Sequence, residues 1–413
     1  MKRYMLSLVS TGLLAVVATA SAVDLDVMTQ NQYVGTDLMG LVTEPDFNAA
    51  VVNALKSRAA GLPSARIKGL AGLIKKRGPD LVGLEEVYKF TCIDDDPGDT
   101  RGCQNQEIAG AFTDQLADTL AALGGKYVAA AKVFNMNLPA TLPPPLNSLP
   151  GIPIGYDGRV IYIGVIDQDV ILARQGVTFQ ATAFAALNAL NPMLCSRPSQ
   201  DGCNYAAAAS ADLTLPGVPF PVTIRFERGF VGVDAMVDGR PYRFIATHLE
   251  TRLESFGPQG RFYQAAQAAE LDSTLQILQA YNTIDKTLVV GDFNSDSRDE
   301  VIPVPAPDEY LGIPPYLQFT GSGYTDIWTL RPGAANANGA PLIGFSCCQD
   351  ADLGNHKSVL YERVDLIFSL ARPTKVQLAR LLGESISDKT KPAQLGLWPS
   401  DHASVAAKLT FGE

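Results

Sequence analysis

Val289-Val290-Gly291-Asp292-Phe293-Asn294 runs a β-branched strand into a glycine and then presents two polar side chains two positions apart. Where extended geometry persists, alternation aims Asp292 and Asn294 the same way. A carboxylate beside an amide can hold an attacking water and steady a charged oxygen, which is what hydrolysis of a phosphate ester requires. An ordinary Asx turn closing a strand explains the hexapeptide alone equally well. The weight therefore falls on what accompanies it.

Ile245-Ala246-Thr247-His248-Leu249-Glu250 again sets a titratable group at the end of an apolar strand, and His can donate a proton near neutral pH. Ser400-Asp401-His402 stands just before the final strand, and Arg363-Val364-Asp365 opens the strand before that. Asp365 is placed to orient His402 through one ring nitrogen, leaving the other for a substrate. The chain has three His, and two of them fall in such clusters. His356, in the loop after Cys348, has no such company and is not assigned a role. Near the start, Asn31 follows a strand and Glu86 closes the run Leu81 to Val87. A carboxylate with an amide and phosphate oxygens suits Mg2+ or Mn2+, and Ca2+ shares the preference for oxygen. Each of these residues singly reads as a solvated or structural strand end; the set carries the argument.

Around these strand ends, periodicities alternate. Asp24 to Thr29 alternates like a strand and Leu81 to Leu84 is a short buried run. Between them Ile67, Leu70 and Ile74 recur at helical spacing until Gly78-Pro79. Ile108, Phe112, Leu116, Leu120 and Leu123 predict a second helix closed by Gly124-Gly125, and a third runs from about Arg261 to Tyr281. Further strands are expected at Tyr242–Thr247, Thr287–Val290, Val364–Phe368 and Ser404–Leu409. Interleaved helices and strands point to an α/β layered architecture. No internal repeat is present. Six prolines between Asn135 and Tyr156 argue against regular structure through most of that stretch, which reads as a loop packed on its own domain rather than as a lipid-touching surface. Insertions are expected at about 135–158, 181–220 and 303–315.

Residues 1–22 read as an export signal, because Lys2 and Arg3 precede the apolar run Leu6 to Ala20, which ends in the small-x-small pattern Ala20-Ser21-Ala22. That run is shorter than the ~20 residues of a spanning helix. Cleavage would leave residues 23–413 as one domain, secreted or periplasmic. It would remove two positive charges and no acids, moving the formal net charge from -10 to -12. So acidic a chain is poorly suited to broad attachment to nucleic acid, although Arg225, Arg228 and Arg240 could form a local patch. Six cysteines in an exported protein suggest disulfides. Cys92/Cys103 and Cys195/Cys203 have spacings suited to loop closure. Cys347-Cys348 leaves open a vicinal bridge, two longer bonds, or a different pairing throughout. With no CxxC pair and few His, a Zn site is disfavoured.

In order along the chain, Asn31, Glu86, Thr247-His248-Leu249, Gly291-Asp292-Phe293-Asn294, Asp326, Asp365 and Ser400-Asp401-His402 resemble the motifs of the endonuclease/exonuclease/phosphatase superfamily. The resemblance implies a four-layer fold, with two packed mixed β-sheets flanked by helices and a site at one edge. It further implies that Glu86, with Asn31, is the main metal ligand and Asp401 an outer metal-site carboxylate. Asp292 would orient or deprotonate the attacking water, and Asn294 would fix the phosphate. His402, partnered by Asp365, would contact the phosphate, while His248 supplies or stabilises a proton on the opposite side. Asp326 would be a supporting acid. Family members commonly carry Gln before the metal-binding Glu. Here Glu85 precedes Glu86, and the register with Leu84 and Val87 favours Glu86. Arg159–Arg174 departs from the family pattern, with Arg174 as the candidate phosphate clamp. The expected activity is metal-dependent phosphodiester hydrolysis outside the cytoplasm, by an extracellular nuclease or phosphodiesterase. The alternatives are a sphingomyelinase-type phospholipid phosphodiesterase, a phosphomonoesterase, and a non-catalytic binding protein. With only Trp328 and Trp398, no aromatic hairpin for membrane insertion is visible.

Overall fold

Alternation along the first strand sends Leu25 and Val27 to one side and Met28 to the other, and both sides are buried. The same split recurs at Phe244 and Ala246 against Ile245, and at Leu288 and Val290 against Val289. Strands apolar on both faces must be covered on both faces, which is why these sheets lie inside a layered α/β structure.

A computed structural model describes residues 23–412 except positions 39, 45, 97, 99, 193, 216–217, 253–259, 304–311, 334–342 and 392–395. The expected signal segment and the middle of the 303–315 insertion lie outside the described residues. One eight-stranded sheet contains β1 (Val23–Asn31), β2 (Leu81–Glu85), β3 (Lys89–Ile93), β4 (Tyr127–Leu138), β5 (Ile152–Tyr156), β6 (Arg159–Arg174), β17 (Lys375–Leu382) and β18 (Ser404–Phe411). Its spine is β17-β18-β1-β2-β6-β3, with β4 and β5 also paired to the long β6. The second eight-stranded sheet contains β7 (Thr178–Ala181), β8 (Arg197–Ser199), β9 (Gly202–Asn204), β12 (Gly229–Val237), β13 (Arg240–His248), β14 (Thr287–Asp292), β15 (Thr325–Asp326) and β16 (Asp365–Ser369). Both sheets are mixed: β1–β2 and β13–β14 are parallel and their other neighbours antiparallel. A separate hairpin pairs β10 (Ala209–Leu213) with β11 (Val222–Phe226).

The sheets meet through Leu25, Val27, Ile171, Val231, Phe244 and Val290. Helices α1 (Gly40–Thr43), α2 (Phe47–Ala60), α3 (Pro63–Arg77) and α4 (Gln115–Leu123) belong to the first half of the chain. From this group Ile74 of α3 and Leu123 of α4 pack on Met28, Val82 and Leu84. On the second sheet, α5 (Phe184–Leu190), α6 (Gly260–Tyr281) and α7 (Pro315–Gly321) bring Leu187, Leu271, Leu275 and Phe319 against Ile245 and Val289. Two packed mixed sheets between helical layers are the architecture expected from the sequence.

Two expectations about elements need correction. The second helix begins at Gln115, not near Ile108, because Asp114 caps it by accepting from Ala117 N at 3.0 Å. Residues just before it are held by β3 instead, where Phe90 N donates to Thr113 O. The Pro-rich stretch is also more regular than its composition suggests. β4 runs on to Leu138, and β5 pairs with β6 across a turn whose Asp157 and Gly158 have φ of 53° and 74°. Asp-Gly is a hairpin signal that the prolines masked. Leu142, Leu146, Ile152 and Ile154 are buried with Phe47, Leu213 and Ile224, so this insertion packs on its own domain.

Cysteines pair as Cys92–Cys103, Cys195–Cys203 and the vicinal Cys347–Cys348. Among the described residues no helix is long and apolar enough to cross a membrane.

Candidate active site

Four strand ends converge on one edge of the sandwich. The parallel pairs β1–β2 and β13–β14 end at Asn31, Glu85, His248 and Asp292. β16 and β18 run the other way beside them, so their beginnings, Asp365 and the turn containing His402, reach the same edge.

Asp292 occupies the centre. Its Oδ1 accepts from Asn294 N at 2.8 Å and its Oδ2 from Asn31 Nδ2 at 3.2 Å. The same Oδ2 lies 3.6 Å from His248 Nε2 and 3.8 Å from His402 Nε2. His402 Nδ1 is 2.8 Å from Asp365 Oδ2. His248 Nδ1 receives Arg228 at 3.1 Å, which leaves the proton of the neutral ring on Nε2, facing Asp292. Asn294 Nδ2 donates to Leu249 O at 2.8 Å and stands 3.3 Å from His248 Nε2.

The two imidazoles are driven apart electrostatically. Burial and the nearby charges of Arg228 and His402 hold His248 well below its usual pKa. Burial also opposes the charge on His402, but the carboxylates of Asp365, Asp401 and Asp292 outweigh it and raise its pKa well above the usual value. One ring is therefore neutral and the other an imidazolium near pH 7, an arrangement that separates their chemical roles.

In front of this group lies an open pocket of about 380 Å³, lined by Tyr33, Glu86, Asp167, Arg228, Glu250 and Asp401 among others. Glu86 Oε1 receives Asn31 Nδ2 at 3.2 Å, so one amide bridges the pocket carboxylate to Asp292. Asn31 Oδ1 is committed to Tyr33 N at 2.9 Å, and the residue presents nitrogen rather than oxygen to these carboxylates.

The two neighbouring glutamates separate cleanly. Glu85 is fully buried, receives Thr29 Oγ1 at 2.8 Å, and has its pKa raised well above the usual range by burial and by Asp169 and Asp365. Glu86 leaves the strand at φ 53° and faces the pocket. Tyr33 and Asn294 share this left-handed backbone, at φ 60° and 47°. Such strain costs roughly 1–2 kcal/mol per residue and concentrates at functional sites.

The pocket has the character of a hard-cation site. Its donors are carboxylate oxygens, and Glu250 Oε2 and Asp167 Oδ1 are buried without partners. Burial, with repulsion from Glu86 and Asp292, pushes Asp401 up to about 7 against the pull of His402 and Arg66. Burial and Glu86 likewise raise Asp167 to about 7 despite Arg228. A divalent ion would relieve that repulsion. Among the described residues, the ligand atoms of Asp292, Asp365 and His402 also lie within 4.8 Å of one another, although there the Asp365–His402 hydrogen bond joins two of the three. Cys347, Cys348 and His402 form a second such group, but its sulfurs are joined to each other and offer no thiolate.

Two sequence-derived residues lie elsewhere. Arg174 pairs with Asp80 and is half exposed, at the Leu81 end of β2 rather than the Glu86 end. Seven residues of extended β6 separate it from Asp167, about 23 Å. It is therefore corrected: Arg174 is no clamp for this pocket. Asp326 sits one step back. It accepts from Arg363 at 2.7 Å and Tyr316 at 3.0 Å, anchoring the residue two before Asp365.

Arg228 is the cation the pocket does have, yet Arg225 and Arg240 do not join it. The first pairs with Glu227 and the second reaches Gly412 O at the far end. No cationic patch forms from the three. Arg66, in α3, was unmarked by any motif. It bonds Pro399 O at 3.1 Å and Gln32 O at 3.3 Å, tying the loop after β1 to the Ser400–His402 turn. Ser400 Oγ completes that tie by donating to Asn31 O at 2.8 Å.

The chain is similar to endonuclease/exonuclease/phosphatase proteins of known structure. One, a family protein from Bacteroides thetaiotaomicron, is 14% identical with a TM-score of 0.49, over 95% of this chain and 100% of that one. A mannosyl-6-phosphatase from the same organism is 14% identical with a TM-score of 0.47, over 94% and 100%. Truncated TDP2 of Caenorhabditis elegans is 15% identical with a TM-score of 0.44, over 94% and 97%. No family model and no curated protein sequence matches.

Proposed function

We propose that this chain is a divalent-metal-dependent phosphoesterase of the endonuclease/exonuclease/phosphatase superfamily. The observation that carries the reading is the meeting of Asp292, neutral His248 and the charged His402–Asp365 pair behind a pocket walled by Glu86 and Asp401.

Glu86 and Asp401 would hold the ion, with Asn31 fixing Glu86 and Asp292 relative to each other. A bound Mg2+, Mn2+ or Ca2+ would neutralise charge on a non-bridging phosphate oxygen. Asp292 accepts a proton from water, whose oxygen attacks phosphorus while the bond to the leaving oxygen breaks. His402 donates to the phosphate as its charge grows, and Asp365 keeps the ring aligned and charged. His248 is neutral, which suits it to stabilise the departing oxygen through Nε2–H rather than to surrender a full proton. Asn294 is held by Leu249 O beside that ring and positions the phosphate.

Asp365→Asn is expected to lower kcat about 10- to 100-fold with little change in KM, because it disturbs the orientation of a group that acts in the transition state. Steady-state kinetics on a soluble phosphodiester would show it; a wild-type kcat would remove Asp365 from the mechanism.

Export to the periplasm or beyond is part of the proposal, supported by the first 22 residues and three disulfides. Outside the cytoplasm, nucleic acid and phospholipid are the phosphodiesters on offer. The acidic balance and the dispersal of Arg225, Arg228 and Arg240 weigh against nucleic acid. The pocket's apolar neighbourhood favours phospholipid-like esters.

The reading is tested by incubating purified mature protein with bis(p-nitrophenyl) phosphate. Nitrophenolate release with Mg2+ or Mn2+ that stops in EDTA supports it. Release that is indifferent to EDTA contradicts it.

A further inference from the structure

Beside the charged pocket lies a second hollow of a different character. Side chains such as Leu41, Phe47, Ile154, Ile163, Leu213 and Ile224 form its walls, and its free space is about 80 Å³. It is assembled from the α1–α2 region, the sheet edge β4–β5–β6 and the β10–β11 hairpin, and no acid or base lines it.

The two hollows are not separate features. Thr36, Leu38, Tyr88, Met136 and Phe226 line both. From that shared wall one side leads to Glu86, Asp167, Arg228 and Asp401, and the other is hydrocarbon throughout. A ligand filling both needs an anionic, metal-seeking head joined directly to an apolar chain.

We infer that the apolar hollow is the chain-binding subsite for a phosphate ester carrying a long alkyl or acyl chain. The inference rests on reading the neighbouring pocket as a phosphate-ester site. The chain of one substrate molecule enters the hollow while its phosphate stays among Glu86, Arg228 and Asp401. A nucleic acid leaves the hollow unused, since a sugar-phosphate backbone brings no apolar chain to bury. Dedicated elements form part of the wall: β5 and β10 both lie in segments that read as insertions from the sequence.

Binding tests the subsite apart from catalysis. Calorimetry in EDTA compares ethyl phosphate with dodecyl phosphate below its micellar concentration, using wild type and Ala54→Phe, a plug at an α2 residue that lines the hollow. Each buried methylene is worth roughly threefold to fourfold in affinity, so even partial burial makes dodecyl phosphate at least about 100-fold tighter. Ala54→Phe, with wild-type thermal stability, is expected to lose most of that gain and leave ethyl phosphate unaffected. Equal binding of the two phosphates by wild type, or dodecyl binding untouched by the plug, overturns the inference.

Hydrolysis is the second arm, with p-nitrophenyl alkyl phosphodiesters from methyl to dodecyl in Mg2+. Wild-type kcat/KM is expected to climb with chain length and Ala54→Phe to flatten that slope at unchanged methyl-ester turnover. A flat wild-type slope overturns the inference. Chain-dependent binding without cleavage of any ester would uphold the subsite and defeat the phosphoesterase reading.

Discussion

Asp292→Asn is expected to lower kcat on a phosphodiester by about 10³-fold or more while leaving the fold intact. The substitution is isosteric, but an amide keeps one acceptor: its oxygen holds one of the two hydrogen bonds, from Asn294 N or Asn31 Nδ2, and its NH2 turns a donor toward the other. What disappears is the group that accepts the water's proton, a contribution of about 10²–10⁴-fold for general-base action alone. Removing its negative charge also takes away one of three carboxylates that sustain His402 as an imidazolium. The two losses act on the same transition state and fall mainly on kcat rather than KM. Stopped and steady-state kinetics beside circular dichroism would separate this from misfolding. An Asp292→Asn protein within tenfold of wild type would remove the proposed base.

Gly291→Ala is expected to destabilise the protein by roughly 4 kcal/mol or more, or to prevent accumulation of folded chain, through backbone geometry rather than lost chemistry. Gly291 has φ 142°, a region that L side chains rarely adopt, and a Cβ there would lie 1.8 Å from Thr247 O and 2.9 Å from Thr247 C. Neither atom can swing aside, because both belong to β13, which is paired with β14 in the register Thr247–Gly291. The adjacent His248 and Asp292 would be displaced together with the strand ends. Gly72 makes the natural control. It lies in α3 with nothing within 4 Å of a built Cβ, so Gly72→Ala is expected to stabilise by about 0.5–1 kcal/mol. Urea unfolding of the two variants would show opposite signs; Gly291→Ala unfolding like wild type would contradict the close approach.

Much of this site was legible because its residues sit at strand ends with short, strong local patterns. A β-branched run into Gly291-Asp292 and an apolar run into His248 each state where a strand stops and which polar group follows. The layered α/β class followed from helix and strand periodicities interleaved along the chain. Arg66 and Asp167 were not legible as site residues, and Arg228 was marked only as one of a basic patch, since each owes its position to partners far along the chain. Arg66 meets Pro399, 333 positions away, and nothing near residue 66 announces it. The Arg174 expectation failed for a related reason. A single long strand carries Asp167 at one end and Arg174 at the other, and sequence alone does not say which end faces the site. The apolar hollow, gathered from several segments, had no local signature at all.

The central claim is that Glu86, and not its neighbour Glu85, faces a divalent cation. Titrating Mn2+ into metal-free wild type, Glu86→Gln and Glu85→Gln by calorimetry tests it most directly. The account predicts saturable uptake by wild type, at least about tenfold weaker uptake by Glu86→Gln, and retention in Glu85→Gln, whose carboxyl is buried, has its pKa pushed up by that burial, and does not line the pocket. Uptake unchanged in Glu86→Gln, or absent from wild type, would contradict it.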